Sequence, residues 1–274
     1  MLTLMYITNR PEIALIAERY GVDRVWIDLE TLGKEERQKG MNTVKSHHTI
    51  EDIAKMSKIL TKSALQVRIN PWNTNSVIEI TKVLAAGAQI IMLPMWKSPA
   101  EVESFIRTVN GQAKTLLLLE TKEAVDCLDE VLHIPGIDEI HIGLNDLHLS
   151  YGLTFMFELL ANGNVERIGN KIKAKGLPFG FGGLSKIGDG ILPSEKIMVE
   201  HYRLGSSMAI LSRGFCNPDV IVNMKEFDYS FEKRMKQFRF YEGKASQLDA
   251  HAKLLNNSSV IKAVNQAVLE LKNR

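Results

Sequence analysis

Eight times along the chain, a short apolar run rich in branched residues is followed by polar or helical sequence, and the series ends near residue 225. LTLMYIT leads into PEIALIAERYG, RVWIDLE into a polar segment and then TIEDIAKMSKILTK, and ALQVRIN into SVIEITKVLAAG. QIIMLPM, TLLLLE, EIHIGLN and PFGFGG each precede a further stretch of helical period, and SMAILSRG is the last strand-like run. Runs of this length suit buried strands, and strands alternating with amphipathic helices form parallel βα units. Eight units predict an α/β fold, a (β/α)8 TIM barrel, rather than an open doubly wound sheet. The open sheet usually carries a glycine-rich dinucleotide turn after its first strand, and ITNRPE has none. Residues 1–225 are expected to form the barrel. Residues 226–274, charged and helical in period, are expected to form a helical C-terminal extension, either a solvated helix pair or an oligomerisation arm.

Bulk properties exclude several functions. A formal charge of +2 across 274 residues is too near balance to favour nucleic acid or an anionic membrane surface. The two cysteines, Cys127 and Cys216, cannot build a disulfide framework and have no metal-ligand spacing, so a reducing cytoplasmic setting is expected. The N-terminal segment has an apolar start but no basic leader, and polar residues interrupt it before membrane-spanning length.

In such a barrel, chemistry collects where the strands end. The polar residues expected there are Glu30, Arg68, Glu120, Asn145 and Asp146, followed by Gly182, Gly183, Ser212 and Arg213. Acids with one arginine suit a hard divalent cation, Mg²⁺ or Mn²⁺, and an anionic substrate. Each acid also has a plainer reading: Glu120 as a first-turn acid complementing a helix dipole, Asp146 as a turn cap. The long segment TLGKEERQKGMNTVKSHH carries Lys34, Arg37 and Lys45 and ends in His47 and His48. It reads either as a binding loop over the site or as a solvated loop before the capping-box-like TIED. His141, on an apolar strand, reads as a core residue, His133 as a helix-end partner and His148 as a weak substrate contact. Trp72 and Trp96, just past strand ends, read as pocket walls or as packing.

The segments VRINPWN, GAQIIMLPMWKSPAEVE and ETKEAVDCLDEVLHIPGIDEIHIGLNDLHLSYG resemble the HpcH/HpaI aldolase and citrate lyase superfamily, in order, from about residue 20 to 215. The resemblance implies a metal-dependent barrel acting on 2-oxo acids or acyl-CoA thioesters. It puts the metal ligands on Glu120 and Asp146 and the strand arginine on Arg68. Asp28 and Glu30 of WIDLE would orient water or the metal's outer shell. Substrate contacts are expected from Glu30, Gly143, Leu144, Asn145, Gly182, Gly183 and Arg213. The sequence departs from the pattern at Thr31, where the aldolases carry a histidine, and at Leu144, where they tend to carry proline. The catalytic base is therefore open between His47, His48 and a metal-bound water. The expected function is a divalent-metal-dependent carbon–carbon lyase, cleaving or forming an aldol through a metal-bound pyruvate-type enolate. The alternatives are an acyl-CoA lyase or thioesterase of the citrate lyase beta or malyl-CoA type, and a non-catalytic metal- or anion-binding barrel. A small 2-oxo acid or hydroxy-oxo acid substrate is implied, as is a homo-oligomer, trimer or hexamer, joined through the C-terminal helices.

Overall fold

Eight parallel strands close into one barrel in sequence order in the computed structural model, which describes residues 1–33, 48–221 and 223–273. The strands are β1 Thr3–Ile7, β2 Arg24–Asp28, β3 Ala64–Arg68, β4 Ile90–Leu93, β5 Lys114–Leu119, β6 Glu139–Ile142, β7 Phe179–Leu184 and β8 Met208–Leu211. Among the described residues, the first four helices are α1 Pro11–Arg19, α2 Ile50–Ile59, α3 Ser76–Ala85 and α4 Pro99–Val109. Their starts follow local chemistry. Proline opens α1 and α4, where its missing N–H costs no hydrogen bond, and Thr49 makes a reciprocal capping box with Asp52 at α2.

Two apolar shells hold the barrel. The larger lies between strands and helices and includes Leu4, Val25, Val67, Ile91, Leu117 and Phe105, all essentially inaccessible. The smaller fills the barrel with alternate strand residues, among them Met5, Trp26, Met92, Leu116, Leu118 and Met208. Period-2 alternation sends neighbouring side chains to opposite faces, so one strand can feed both shells. The interior also takes charge: the Arg24 guanidinium grips the Glu139 carboxylate, Nη2 lying 2.8 Å from Oε1, with both residues buried.

The strand and helix order agrees with the sequence pattern, and the helical stretches are more broken than the periodicity suggests. TKEAVDCLDEVL divides into α5 Lys122–Asp126 and α6 Leu128–Val131. The stretch after β6 divides into α7 Leu144–Ser150, α8 Glu158–Ala161 and α9 Asn164–Ala174, and α10 Ser194–Leu204 joins β7 to β8. Two long helices follow, α11 Met224–Gln247 and α12 Ala250–Lys272, separated at Leu248 and restarted by Asp249, whose side chain caps the Ala252 N–H.

Both long helices pack on the barrel of their own chain, α11 against α1 and α10, α12 against α10 and α8. Buried Glu200 ties α12 to α10 by accepting hydrogen bonds from Asn256 and Asn257, and Glu242 ties α11 to the residue just before β1 by accepting from the Leu2 N–H. Among the described residues, no helix is long and apolar enough to cross a membrane.

Candidate active site

The C-terminal ends of the strands surround a cavity of about 770 Å³. Its wall places together most of the residues singled out at the strand ends: His48, Arg68, Glu120, Gly143, Leu144, Asn145, Asp146, Gly182, Gly183 and Arg213. Glu30 is not among the lining residues. His47, with Lys34, Arg37 and Lys45, lies outside the described residues.

Register sets the centre of the site. Asp28 and Arg68 are directly paired neighbours at the ends of β2 and β3. The guanidinium donates from Nε to Asp28 Oδ1 and from Nη2 to Asp28 Oδ2, both at 2.8 Å, and Nη2 also lies 3.2 Å from Glu30 Oε2. This forked geometry fixes the plane of the cation. Arg68 also lies over the Trp26 ring, 4.9 Å from its centroid, a further favourable contact for a guanidinium. Burial by itself would lower the Arg68 pKa, but Asp28, Glu30 and Glu120 hold it above its ordinary value, so the group stays a permanent cation. Asp28 and Glu30 are 1% and 3% exposed, whereas Arg68 keeps 13% of its side-chain surface. The two acids thus support the arginine, and Arg68 meets the cavity. No described residue hydrogen-bonds its Nη1.

Glu120 follows the last residue of β5 and is 3% exposed. Thr121, not Glu120, caps α5: its hydroxyl accepts from the Ala124 N–H and donates to the Trp96 carbonyl. That leaves the Glu120 carboxylate on the cavity wall, where Oε1 accepts from the Met95 N–H at 3.2 Å. Met95 adopts φ +52°, a left-handed conformation uncommon for a residue with a side chain. On the other side, a Cβ on Gly143 would lie 2.8 Å from Glu120 Oε2, so glycine makes room for the acid. Asp146 occupies the first turn of α7, complementing that helix's dipole while lining the cavity. Gly143, not Asp146, is the N-cap, and no side chain caps this helix, so the turn-cap reading of Asp146 does not hold.

His48 sits at the edge of β2, its Nδ1 accepting from the Asp28 backbone N–H at 2.9 Å. That bond leaves Nε2 as the protonated nitrogen of the neutral ring. Thr31, where the aldolase pattern has histidine, instead bonds Asn70 through its backbone N–H and hydroxyl. On the far side of the barrel, the β7–β8 register shifts between Gly180 and Gly183, and Gly182 takes φ +54°. A Cβ there would meet Leu144 at 2.9 Å, so this kink depends on glycine.

His141 and Trp26 line the floor, and the motif reading assigned neither to the site. Their signal was available in the pleat: Trp26 is two residues before Asp28 and His141 two before Gly143, hence on the same faces. His141 is fully buried with Nε2 3.2 Å from the Gly182 carbonyl, and burial pushes its pKa down to about 4. It is both a core residue and part of the cavity floor. Trp96 is fully buried in the outer core and Trp72 packs against it, so neither walls the cavity. His148 hydrogen-bonds the Leu144 carbonyl and does not line it either.

Among the described residues, no three His, Cys, Asp or Glu side chains are grouped as a protein-only metal cage would require. Glu120 and Asp146 supply two carboxylates to one cavity, a donor set that suits Mg²⁺ or Mn²⁺ with water and substrate completing the coordination.

A closed parallel barrel with acids and one clamped arginine at its strand ends defines a class of rim-site α/β enzyme scaffold. The HpcH/HpaI aldolase/citrate lyase family model matches residues 2–160, and the chain belongs to that family. A curated relative, the hydroxypyruvate/pyruvate aldolase of Roseovarius nubinhibens, is 29% identical over 27% of this chain and 40% of its own length. The chain spans half or less of the length of the first curated relatives it matches. The HpcH/HpaI aldolase of Desulfitobacterium hafniense has the same fold, with a TM-score of 0.59 at 16% identity over 77% of this chain and 86% of the other. The citrate lyase beta subunit of Mycobacterium tuberculosis, solved with oxaloacetate and magnesium, gives 0.54 at 18% identity over 84% and 96%.

Proposed function

We propose that the protein is a carbon–carbon lyase of the aldolase type, acting on a 2-oxo acid or hydroxy-oxo acid with a divalent cation, Mg²⁺ or Mn²⁺, at Glu120 and Asp146. The carrying observation is Arg68, a permanent cation clamped by Asp28 and Glu30 and lining the same cavity as Glu120 and Asp146. Family membership and the aldolase relative support the same reading.

The chemical problem is to place negative charge on a carbon beside a carbonyl at neutral pH. A bound divalent cation would supply Lewis acidity to the substrate's oxygens. Arg68 supplies a fixed positive charge and N–H donors already oriented before the reaction begins, worth about 3 kcal/mol for one preorganised donor. In the cleavage direction, a base takes the proton of the aldol hydroxyl and the carbon–carbon bond breaks. The electron pair stays on the methylene carbon of the 2-oxo acid as an enolate, the aldehyde leaves, and the carbon is then protonated. His48 is a described histidine on the wall beside Asp28; because its Nδ1 already accepts from the Asp28 N–H, we assign its Nε2–H the role of a hydrogen-bond donor to the substrate and leave the base to His47 or a water. Gly143, Leu144, Asn145, Gly182, Gly183 and Arg213 shape the substrate's surroundings, and Glu30 acts through Arg68.

Residues 1–225 would carry this site, and residues 226–274 would serve as the arm of a cytoplasmic homo-oligomer. Leu254, Leu255 and Leu269 of α12 are large apolar side chains left exposed for such a contact.

The test is proton–deuterium exchange at the pyruvate methyl group, followed by NMR with Mg²⁺ and with chelator. Metal-dependent exchange that disappears in Glu120→Gln is expected. Absence of exchange, alongside turnover of an acyl-CoA thioester, would replace this reading with the thioester branch.

A further inference from the structure

We infer that the β8–β1 side of the cavity is a compartment for an apolar second substrate, an aryl- or alkyl-substituted aldehyde rather than a polyhydroxylated or phosphorylated one. This rests on the aldolase reading and specifies its partner substrate.

The cavity is larger than its proposed chemistry needs. A three-carbon 2-oxo acid occupies roughly 100 Å³, on the order of three to four times a water's share of liquid volume. The 770 Å³ available would hold it several times over. The surplus is chemically distinct. Asp28, Arg68, Glu120 and Asp146 come from the ends of β2, β3, β5 and β6. In a barrel closed in sequence order, β8 and β1 stand together on the wall away from β4 and β5. That wall presents Ile7 and Ile210 from the strands and Ile191 and Leu192 from the β7–α10 connection. Phe155 and Phe157, on the α7–α8 connection, line the same cavity and pack edge to face with centroids 5.3 Å apart.

Single exposed aliphatic residues are ordinary, but several apolar side chains lining one cavity are a binding feature. Ile191 is 58% exposed, an apolar surface that a ligand seated in the cavity would cover. The charged residues on this side do not form a phosphate cradle. Arg10 pairs with Glu12 at 3.0 Å, and the Asp219 carboxylate lines the same wall as Arg213. Thr8, Asn9, Ser185, Ser212 and Asn217 line the cavity as well; against Ile7, Ile210 and the two phenylalanines, however, a sugar-like aldehyde's hydroxyls would lose water without replacement.

The chemistry makes no further demand on this compartment. In the synthetic direction, the enolate carbon bonds to the aldehyde carbon, the carbonyl π pair moves to oxygen, and that oxygen takes one proton. The aldehyde's substituent passes through unchanged and needs only to be held.

Binding is read first, with 3-phenylpropan-1-ol, an analogue that cannot react, against glycerol, by saturation-transfer NMR and calorimetry. Saturable binding of the phenyl alcohol, at least about tenfold tighter than glycerol, is expected from burying a few methylenes' worth of apolar surface. Ile210→Asp and Ile191→Asp should each weaken it about tenfold; Ile191 is exposed on a connection, so its variant tests the compartment without disturbing the barrel core. With pyruvate as donor, kcat/KM should favour 3-phenylpropanal over glyceraldehyde. Equal binding of the two alcohols, or indifference to both substitutions, overturns the inference. So does competition by coenzyme A with no turnover of apolar aldehydes. Wild-type pyruvate exchange separates the failures: exchange without alcohol binding sinks the compartment alone, and alcohol binding without exchange sinks the aldolase reading and with it the aldehyde as occupant.

Discussion

Alanine at Gly143 isolates the position of the Glu120 carboxylate. The backbone there has φ −80° and ψ 90°, so alanine meets no left-handed penalty. The whole effect comes from the added methyl, which would lie 2.8 Å from Glu120 Oε2, 2.9 Å from Glu120 Cβ and 3.3 Å from Leu118 Cδ1. Relaxed contacts between such atoms need about 3.5 Å or more, so something must move by roughly 0.5–1 Å. Leu118 is held in the barrel interior and is the more distant neighbour, whereas the two shortest contacts both fall on Glu120, one of them at the end of its side chain. Glu120 therefore moves. Overpacking of this kind costs about 1–3 kcal/mol. For a chain of this size, that lowers Tm by roughly 2–4 °C per kcal/mol. The functional loss should be larger, because a misplacement of about 1 Å at a reacting centre costs on the order of 10²-fold in rate. Differential scanning calorimetry and metal-dependent pyruvate exchange, on the same sample, read the two effects. A variant that exchanges within about threefold of wild type would show that Glu120 is not held where the chemistry needs it, whatever happens to Tm.

Arg68→Lys keeps the charge but loses the fork that binds Asp28 and Glu30 together, so exchange should fall about 10²-fold; near-normal exchange would mean that charge alone suffices. Acid should destabilise the protein through His141 and His201, which burial pushes down to pKa values of about 4 and about 3. Near pH 7 both are neutral in either state. As pH falls below the unfolded value of about 6.5, the unfolded chain takes up protons that the folded one refuses. Stability is therefore lost on going from about pH 6.5 toward 4, by up to about 1.4 kcal/mol per unit for each histidine. Urea midpoints across this range should fall less steeply in His141→Gln, and an unchanged slope would show that His141 is protonated when folded. Arg24→Met strands the buried Glu139 carboxylate and should cost about 3–5 kcal/mol, with the added Glu139→Met recovering most of it. A double variant no more stable than the single one would show that the pair is not the source of the cost.

The barrel was legible because the strand–helix alternation repeats eight times and each run is too short to be anything but a strand or a helix fragment. The rim acids were legible for the same reason: Glu120 and Asp146 follow apolar runs whose ends must be the barrel mouth. Glu30 was harder to place. It shares Asp28's parity, but β2 ends at Asp28. Beyond that point the pleat no longer fixes direction, and the ion pair with Arg68 decides where the side chain goes. His48 is a different case. Nothing local in the sequence brings a residue before α2 onto the Asp28 N–H, since that bond depends on how a connection of some twenty residues returns to β2.

The breaks in the helices follow a similar logic. At Cys127 the apolar period continues, so periodicity alone gives one helix, whereas the chain turns there and restarts at Leu128. Inside the barrel, Arg24, Gln66, Glu139 and His141 look like interruptions of apolar strands, and all four are buried. His141 meets the kinked Gly182 carbonyl on the neighbouring strand, no described residue hydrogen-bonds the Gln66 amide, and Glu139 meets Arg24 across the barrel. That pairing links distant strands with no sequence period between them. The same kink carries Gly182 and Gly183 into the cavity wall, so the floor histidine and the shape of the mouth are one structural feature. A change at His141 should therefore be felt first at β7, on the apolar side of the cavity, before it reaches Arg68 and Glu120.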